Sequence, residues 1–340
     1  MPKQPKHILV IRLSAMGDVA MTIPVLRAFT EQYPEIKLTV LTREFFTPFF
    51  RDLKNVTIFP ADLKGKHKGF FGLLELSKEL RILGIDAVAD LHNVLRSNIL
   101  KIFLLDLNII QIDKGRAEKK ALVKGKVFEQ LKTTHQRYRD VFEKLGFPLN
   151  NSEPNFPERA KLNSKTIQIL GEPTRGWIGI APFAAYKSKT YPLKLMEEVI
   201  KELSITYQIL LFGGKAEADY LCALENENVS SIAGKLSLDE ELDVISNLEV
   251  MVSMDSGNAH MAAMLGIKVL TLWGVTHPYA GFFPFHQDAT NALLADRTKF
   301  PKIPTSIYGN NFPEGYETCM ETINPQAVIE KIEHIIKKPH

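Results

Sequence analysis

Apolar runs of strand length alternate with amphipathic helical patterns along most of the 340 residues, as a parallel α/β fold requires. In the first half the pattern predicts five strands, at residues 7–12, 37–42, 56–59, 87–91 and 109–112. It predicts four helices between or after them, at residues 19–32, 73–83, 97–105 and 135–144. We therefore expect the first half to form one doubly wound parallel sheet.

The pattern restarts after residues 146–163, a stretch rich in proline and asparagine that is typical of a domain linker. Further strands are predicted at residues 177–181, 208–212, 230–232, 249–252 and 269–273. Further helices are predicted at residues 193–203, 215–224, 239–247, 258–265 and 325–337. We predict two Rossmann-like domains, residues 1–150 and 165–322, facing one another across a cleft. In residues 323–340 we predict a helix that packs back on the first domain.

Composition narrows the class of protein. Apolar residues make up 45% of the chain and charged residues 24%, and the net charge is only +3, which disfavours a general nucleic-acid-binding role. Cys222 and Cys319 stand at no metal-binding spacing, and His260 and His277 have no partner at such a spacing. No apolar run approaches the ~20 residues that cross a bilayer. We expect a cytoplasmic protein with no metal site.

The segment from Val250 to Gly266 is the most informative part of the sequence. An apolar strand ends in the turn Asp255-Ser256-Gly257, and a helix rich in alanine and methionine starts at Asn258. The first amides of a helix lack intrahelical acceptors and carry partial positive charge. This junction therefore predicts a site for a phosphate or pyrophosphate.

A second strand–turn–helix junction, near the N-terminus, ends in Gly17 and the carboxylate of Asp18. Such a carboxylate often caps the following helix and contributes roughly 1 kcal/mol of stability. At the carboxyl end of a strand facing a ligand cleft it can instead act as a general base. Both interpretations of Asp18 remain open from the residues alone.

Two loops of the second half carry further candidates. Lys187 and Lys189 follow the strand at residues 177–181, and although loop lysines are usually solvated, their position favours contact with phosphate. Lys189 is preferred because it directly precedes Thr190-Tyr191-Pro192. After the next strand, the pair Gly213-Gly214 forms either a simple tight turn or, with Glu217, a site where a carboxylate accepts ribose hydroxyls.

Two basic segments each have an ordinary structural interpretation and a functional one. Residues 113–139 are rich in lysine and arginine, which is typical of a solvated helix face but also suits an acidic substrate. Residues 64–74 place lysines before Phe70 and Phe71, which suits an anionic membrane surface or a mobile loop before an ordinary helix.

Three common nucleotide-site patterns are missing from the sequence. The first strand is followed by no GxGxxG, and the chain has no P-loop and no Asp-x-Asp pair for a divalent metal. A dinucleotide-dependent oxidoreductase is therefore disfavoured.

As a set, the motifs resemble those of the ADP-heptose:lipopolysaccharide heptosyltransferases, glycosyltransferase family 9, which have the two-domain GT-B fold. The resemblance spans nearly the whole chain and rests on the motifs IRLSAMGDVAMTIPVLRAF, DLHNVLRS, HQRY, KTYP, LFGGKAE, AGKLSLDE, MDSGNAHMAAMLGIKVLTLWGVTHP and the C-terminal Cys319-Met320-Glu321. The loop AAYKS before Lys189 departs from the family pattern because it lacks an acidic pair, and Ser256 replaces a commoner threonine.

The resemblance implies an inverting, metal-independent transfer of heptose from ADP-heptose to the lipid A–Kdo core of lipopolysaccharide, with no cofactor. It implies Asp18 as the base and Lys189 as the contact to donor phosphate. The donor-binding residues implied are Lys187, Gly213, Gly214, Glu217, Asp255, Ser256, Gly257, Asn258 and His260. The acceptor-binding residues predicted are Ser14, Met16, Gly17, Asn93, Arg96, Arg116, Lys120 and Arg137.

The implied partners are ADP-heptose, the lipid core and, transiently, the inner-leaflet membrane surface, with no nucleic acid. The enzyme would then be cytoplasmic and peripheral at the inner membrane. Two alternatives stay open: a GT-B transferase for another nucleotide sugar or glycan, and a non-catalytic nucleotide-sugar-binding protein.

Overall fold

The computed structural model of the chain describes residues 4–150, 152–172 and 176–338. It divides into two compact units, and the boundary between them is crossed more than once along the sequence. The first unit comprises residues 1–114 and 134–155, and the second comprises residues 115–133 and 156–340. Residues 1–3, 173–175, 339 and 340 of the predicted domains lie outside the described part. Within the described ranges, no helix combines the length and the apolar character needed to span a membrane.

The first unit is built on a five-stranded parallel sheet. Its strands are β1 (His7–Ile11), β2 (Lys37–Thr42), β3 (Val56–Pro60), β4 (Ala87–Asp90) and β5 (Asn108–Gln111). They lie in the order β3-β2-β1-β4-β5. Because β1 is central, all five of its residues are buried, which explains its unbroken apolar sequence.

Helices cover both faces of this sheet. They are α1 (Met16–Ala20), α2 (Ile23–Gln32), α3 (Gly69–Ile82), α4 (Leu95–Ile102) and α6 (Thr134–Lys144). Leu76 and Leu80 of α3 pack in one core with Leu9 and Ile11 of β1. The helix predicted at residues 19–32 is in fact two helices, α1 and α2.

The second unit contains a six-stranded parallel sheet. Its strands are β6 (Trp177–Ala181), β7 (Gln208–Leu211), β8 (Val229–Ser231), β9 (Val250–Met254), β10 (Lys268–Trp273) and β11 (Ala292–Leu294). They lie in the order β11-β10-β9-β6-β7-β8. Its helices are α5 (Arg116–Val123), α7 (Ser164–Leu170), α8 (Leu193–Leu203), α9 (Ala218–Cys222), α10 (Leu238–Ser246), α11 (Gly257–Met264) and α12 (Pro325–Lys337). The switch in strand order places the carboxyl ends of β6 and β9 side by side, where open α/β sheets bind ligands.

The C-terminal helix α12 packs its apolar face within the second unit. Val328, Ile332 and Ile335 recur at helical spacing and are buried in the core of the second unit, together with Val199 and Leu203 of α8. The apolar face of α12 is thus covered by its own unit, and the packing of residues 323–340 on the first domain stays a prediction.

Residues 115–133 depart from the predicted domains, since residues 1–150 are expected to form one unit. Leu122 and Leu131 are buried in a cluster with Ala280, and the Leu131 amide donates to the Tyr279 carbonyl at 3.0 Å. These contacts assign the segment to the second unit. The basic tract at residues 113–139 is thereby divided: Arg116 and Lys120 belong to the second unit, and Arg137 to the first.

Candidate active site

In the first unit, Asp18 lies in the first turn of α1, directly after β1. One Asp18 carboxylate oxygen (Oδ2) lies 2.5 Å from Arg12 Nη2 and accepts the Ala15 amide at 3.3 Å. Arg12 is itself anchored, because its Nη1 donates to the Leu91 carbonyl at 2.7 Å. The Asp18 side chain is 30% exposed, against 7% for Arg12. Asp18 thus contacts its own helix start and is also held, still accessible, by a buried guanidinium.

A second polar cluster lies in the turn after β4. Arg12 contacts both this turn and Asp18. Asp90 is fully buried and accepts the amides of His92 at 2.9 Å and Asn93 at 2.8 Å. Its other oxygen lies 2.7 Å from Lys101 Nζ. The ion pair thus fixes the turn that carries His92, whose Nε2 lies 3.4 Å from Ser14 Oγ.

Burial, reinforced by the charges of Arg12 and Lys114, lowers the pKa of His92 to about 4. The ring is therefore neutral near pH 7. No motif or spacing in the sequence predicts a role for His92, Asp90 or Lys101, although a polar turn at the carboxyl end of a central strand is a signal of such a cluster.

The predicted acceptor residues of the first unit have unequal exposure. Ser14, Met16 and Gly17 are partly exposed at the β1–α1 junction beside Asp18, and Arg96 is exposed on α4. The Asn93 side chain donates to the Ile112 carbonyl at 3.0 Å. The set also includes Arg137, whose side chain is only 4% exposed and donates to the Asp113 carbonyl at 3.3 Å. Asn93 and Arg137 therefore have structural contacts of their own.

In the second unit, Lys189 and Asp255 meet at the adjacent carboxyl ends of β6 and β9. Lys189 Nζ donates to the Asp255 carbonyl at 2.7 Å and to its carboxylate Oδ2 at 3.3 Å. The Thr276 hydroxyl donates to the same Oδ2 at 3.0 Å. Both charged side chains are only 11% exposed. The lysine is thus held by a fixed network, while neighbouring Lys187 is exposed to solvent.

Helix α11 begins beside this network without a side-chain cap. Its N-cap residue, Ser256, makes no capping hydrogen bond, and the Ser256 hydroxyl lies instead 2.9 Å from that of Ser253. Gly257 and Asn258 start the helix and are partly exposed, whereas His260 is buried in its second turn. The uncapped amides and the Lys189 ammonium together form a positive region suited to a phosphate group.

The turn after β7 needs its glycines for a packing reason. A Cβ on Gly214 would lie 2.8 Å from Glu217 Oε2, and one on Gly213 would lie 2.6 Å from Leu221. The Glu217 side chain therefore lies over this turn, and Glu217 is the N-cap residue of α9. Gly213 and Gly214 therefore form a tight turn, and the partly exposed Glu217 carboxylate remains available to a ligand.

The loop that contains Ser306 and Gly309, which no sequence motif marks, contacts Ser188 and the side chain of Lys189. The Ser188 hydroxyl donates to the Gly309 carbonyl, and the Gly309 amide donates to the Ser306 hydroxyl at 3.0 Å. Gly309 has a φ of +83°, and a Cβ there would lie 2.6 Å from Lys189 Cγ. The loop therefore fixes the aliphatic stem of Lys189.

Comparison with known proteins decides the class to which this architecture belongs. The model of glycosyltransferase family 9 (heptosyltransferase) matches residues 73–306. The chain belongs to this family. The predicted family and the enzyme class, a glycosyltransferase, are therefore confirmed.

Three relatives show how far the likeness extends. The lipopolysaccharide core heptosyltransferase OpsX of Haemophilus influenzae is 25% identical over 296 residues, which cover 81% of this chain and 80% of that protein. A family 9 glycosyltransferase of Veillonella parvula superposes with a TM-score of 0.74 at 20% identity, over 97% of both chains. The E. coli heptosyltransferase WaaC, solved with ADP-2-deoxy-2-fluoro heptose, gives a TM-score of 0.63 at 20% identity, over 96% of this chain and 99% of that one. The predicted GT-B architecture of two Rossmann-like domains is thereby confirmed.

Proposed function

We propose that this chain transfers heptose from ADP-heptose to the inner core of lipopolysaccharide, with inversion at the sugar carbon and without a metal ion. The observation that carries the proposal is the Lys189–Asp255–Thr276 network beside the uncapped start of α11, in a chain of the heptosyltransferase family. The ADP-heptose analogue in the WaaC structure and the lipopolysaccharide core in the name of OpsX support this choice of donor and acceptor.

Donor binding is assigned to the second unit. The pyrophosphate is held by Lys189 and the first amides of α11, and Glu217 accepts the ribose hydroxyls. As the bond from the sugar carbon to ADP breaks, negative charge grows on the leaving phosphate. Lys189 and the helix start are fixed before the reaction, and preorganised donors of this kind usually give the largest electrostatic contribution to catalysis.

Proton removal is assigned to Asp18. The acceptor hydroxyl loses its proton to the Asp18 carboxylate while its oxygen attacks the sugar carbon from the face opposite ADP. The ion pair with Arg12 orients the carboxylate, and its partial exposure leaves it accessible to the acceptor. We assign acceptor contacts to Ser14, Met16, Gly17 and the exposed Arg96 of the first unit. Arg116 and Lys120 on α5 are assigned to the acceptor as well.

Transient binding to the inner leaflet is part of the same proposal, because the acceptor is a lipid. Phe70 and Phe71, at the start of α3, are 56% and 82% exposed, and the exposed Lys64 and Lys68 precede them. Asp62 accepts three backbone amides of this turn, so the segment has a defined conformation. Paired aromatics beside lysines suit an anionic lipid surface.

A donor and acceptor screen tests the proposed activity. The purified chain is incubated with ADP-heptose, ADP-mannose, UDP-sugars or GDP-sugars, with and without a Kdo-bearing lipid core, and release of nucleoside diphosphate is measured. We expect release only with ADP-heptose together with the lipid core. Turnover with another nucleotide sugar would identify a different transferase, and ADP-heptose binding without turnover would identify a non-catalytic binding protein.

A further inference from the structure

A cavity of about 640 Å³ lies within the second unit, apart from the residues assigned above to the donor. The C-terminal end of α5, residue Phe128 and the loop at residues 297–313 line it. The volume falls in the range of sites that hold small ligands. Neither the family match nor the predicted site residues account for this cavity.

The charge of the lining is one-sided. Lys124, Arg297 and Lys302 line the cavity, and its lining includes neither aspartate nor glutamate. Within residues 4–150, 152–172 and 176–338, none of these three cations has a salt bridge to a carboxylate. The Nε of Arg297 donates to the Ile303 carbonyl at 2.9 Å. Three unneutralised cations around one space favour an anionic occupant.

An aromatic wall stands beside these charges. The Arg297 guanidinium carbon lies 3.4 Å from the centroid of the Phe128 ring. The ring therefore orients the guanidinium group. Phe128 itself packs against His277 and Tyr279, at centroid distances of 5.0 and 4.9 Å. Phe128 remains 41% exposed and Phe312 37% exposed. Flat apolar surfaces next to cations suit the apolar face of a sugar ring that carries an acidic group.

The loop that builds the cavity also reaches the Lys189 network. The Thr305 amide donates to the Val275 carbonyl at 2.9 Å. Thr276, which follows Val275, donates its hydroxyl to Asp255. Four residues beyond Thr305, Gly309 packs on the stem of Lys189. A ligand in the cavity therefore contacts the same loop that fixes Lys189.

We propose that this cavity binds an acidic sugar of the saccharide acceptor, with its carboxylate or phosphate on Lys124, Arg297 and Lys302 and its ring against Phe128. The proposal rests on the proposed function, because it assigns the cavity to the acceptor. It adds a binding site to the acceptor residues implied by the family resemblance.

Binding to the full chain, without donor, tests the site directly. Isothermal titration compares Kdo methyl glycoside, glucose 6-phosphate, inorganic phosphate and neutral methyl glucoside. We expect both acidic sugars to bind more tightly than phosphate, and the neutral sugar to bind weakest. The variant Lys124→Gln/Lys302→Gln should weaken acidic-sugar binding by about 5- to 10-fold, as expected for two exposed charge contacts. Lys161→Gln/Lys201→Gln removes two exposed lysines outside the cavity lining and should leave binding unchanged.

Steady-state kinetics separate this site from the transfer reaction. In the Lys124→Gln/Lys302→Gln variant we expect the KM for the lipid core to rise, with the KM for ADP-heptose unchanged. Equal affinity of variant and wild type for acidic sugars would overturn the cavity proposal, as would equal binding of inorganic phosphate or the neutral sugar. Failure of transfer alone would count against the proposed function, since the titration requires no turnover.

Discussion

At the scale of single residues, the environment of Lys189 explains why a lysine is suited to this position. Its ammonium is buried but paired, and the pairing to Asp255 and Thr276 fixes its direction. An ammonium held in advance loses less conformational entropy when a phosphate binds. An exposed neighbour such as Lys187 lacks this support.

Replacing Lys189 tests that interpretation. Lys189→Met leaves the largely buried Asp255 carboxylate without its cation, which should cost about 2–4 kcal/mol in the free energy of unfolding. ADP affinity should fall roughly 10- to 100-fold, measured by titration calorimetry. Thr276→Val, as a control, removes one hydrogen bond and should cost only about 1 kcal/mol.

The double variant Lys189→Met/Asp255→Asn separates stability from binding. Removing both charges should restore most of the lost stability, whereas ADP affinity should stay low. Full ADP binding by Lys189→Met would show that the ammonium does not contact the donor phosphate.

His92 gives a prediction about pH. Because its pKa is about 4 in the folded protein and about 6.5 in the unfolded chain, the unfolded chain binds more protons between these values. Stability must therefore fall as the pH falls from about 6.5 to 4. Chemical denaturation at pH 7.5 and 5.0 should show His92→Gln losing about 1–2 kcal/mol less than wild type. An equal loss in both proteins would show that His92 has the same pKa in the folded and the unfolded chain.

The main candidate site residues stand out in the sequence, but the side chains that contact them do not. Asp18, Lys189 and Asp255 stand at strand ends within recognisable motifs. Arg12 and Thr276, which contact Asp18 and Asp255, lie just after the ends of β1 and β10 and belong to no pattern that points to these contacts. Side chains that meet across neighbouring strands leave no fixed spacing in the sequence.

At the scale of elements, the long buried strands and helices were predictable because their apolar periodicity is strong. Lys37–Thr42, Leu193–Leu203 and Pro325–Lys337 have the predicted limits. The edge strand β11 has three residues and was not predicted, and neither was the polar helix α5. The loop over Lys189 has no periodicity at all, so only the folded structure reveals its role.

Gly309 tests the role of this loop. In Gly309→Ala, the new methyl group would meet the stem of Lys189 at a positive φ. We expect a loss of about 2–3 kcal/mol in stability and a higher KM for ADP-heptose. Gly315→Ala is the matched control, because Gly315 has a φ of +81° and open space around its Cβ position. It should lose about 1–2 kcal/mol and keep its KM. Equal KM values in both variants would argue against the contact with Lys189.

At the scale of the whole molecule, sequence order and domain membership differ. The chain passes from the first unit into the second at residue 115 and returns to the first at residue 134. No local sequence pattern predicts this path. The deciding contacts of Leu122 and Leu131 are with Ala280, about 150 residues further along the chain. The number of domains and their fold class follow from periodicity, but the exchange of a segment depends on tertiary packing.

The proposed membrane contact is a property of the whole enzyme. Phe71→Ser should weaken binding to vesicles containing phosphatidylglycerol by roughly 10-fold, because it removes the most exposed aromatic side chain of α3. Ile205→Ser changes a side chain of the second unit that is 70% exposed and should leave sedimentation with vesicles unchanged. Equal effects of the two substitutions would remove Phe71 from the membrane contact.

The most direct measurement is single-turnover transfer by Asp18→Asn with saturating ADP-heptose and lipid core. If Asp18 removes the acceptor proton, transfer should fall by at least about 100-fold, while ADP affinity, measured separately, stays within about twofold. Circular dichroism confirms that the variant remains folded without its ion pair to Arg12. Transfer at the wild-type rate would show that Asp18 serves only to cap α1 and that the base lies elsewhere.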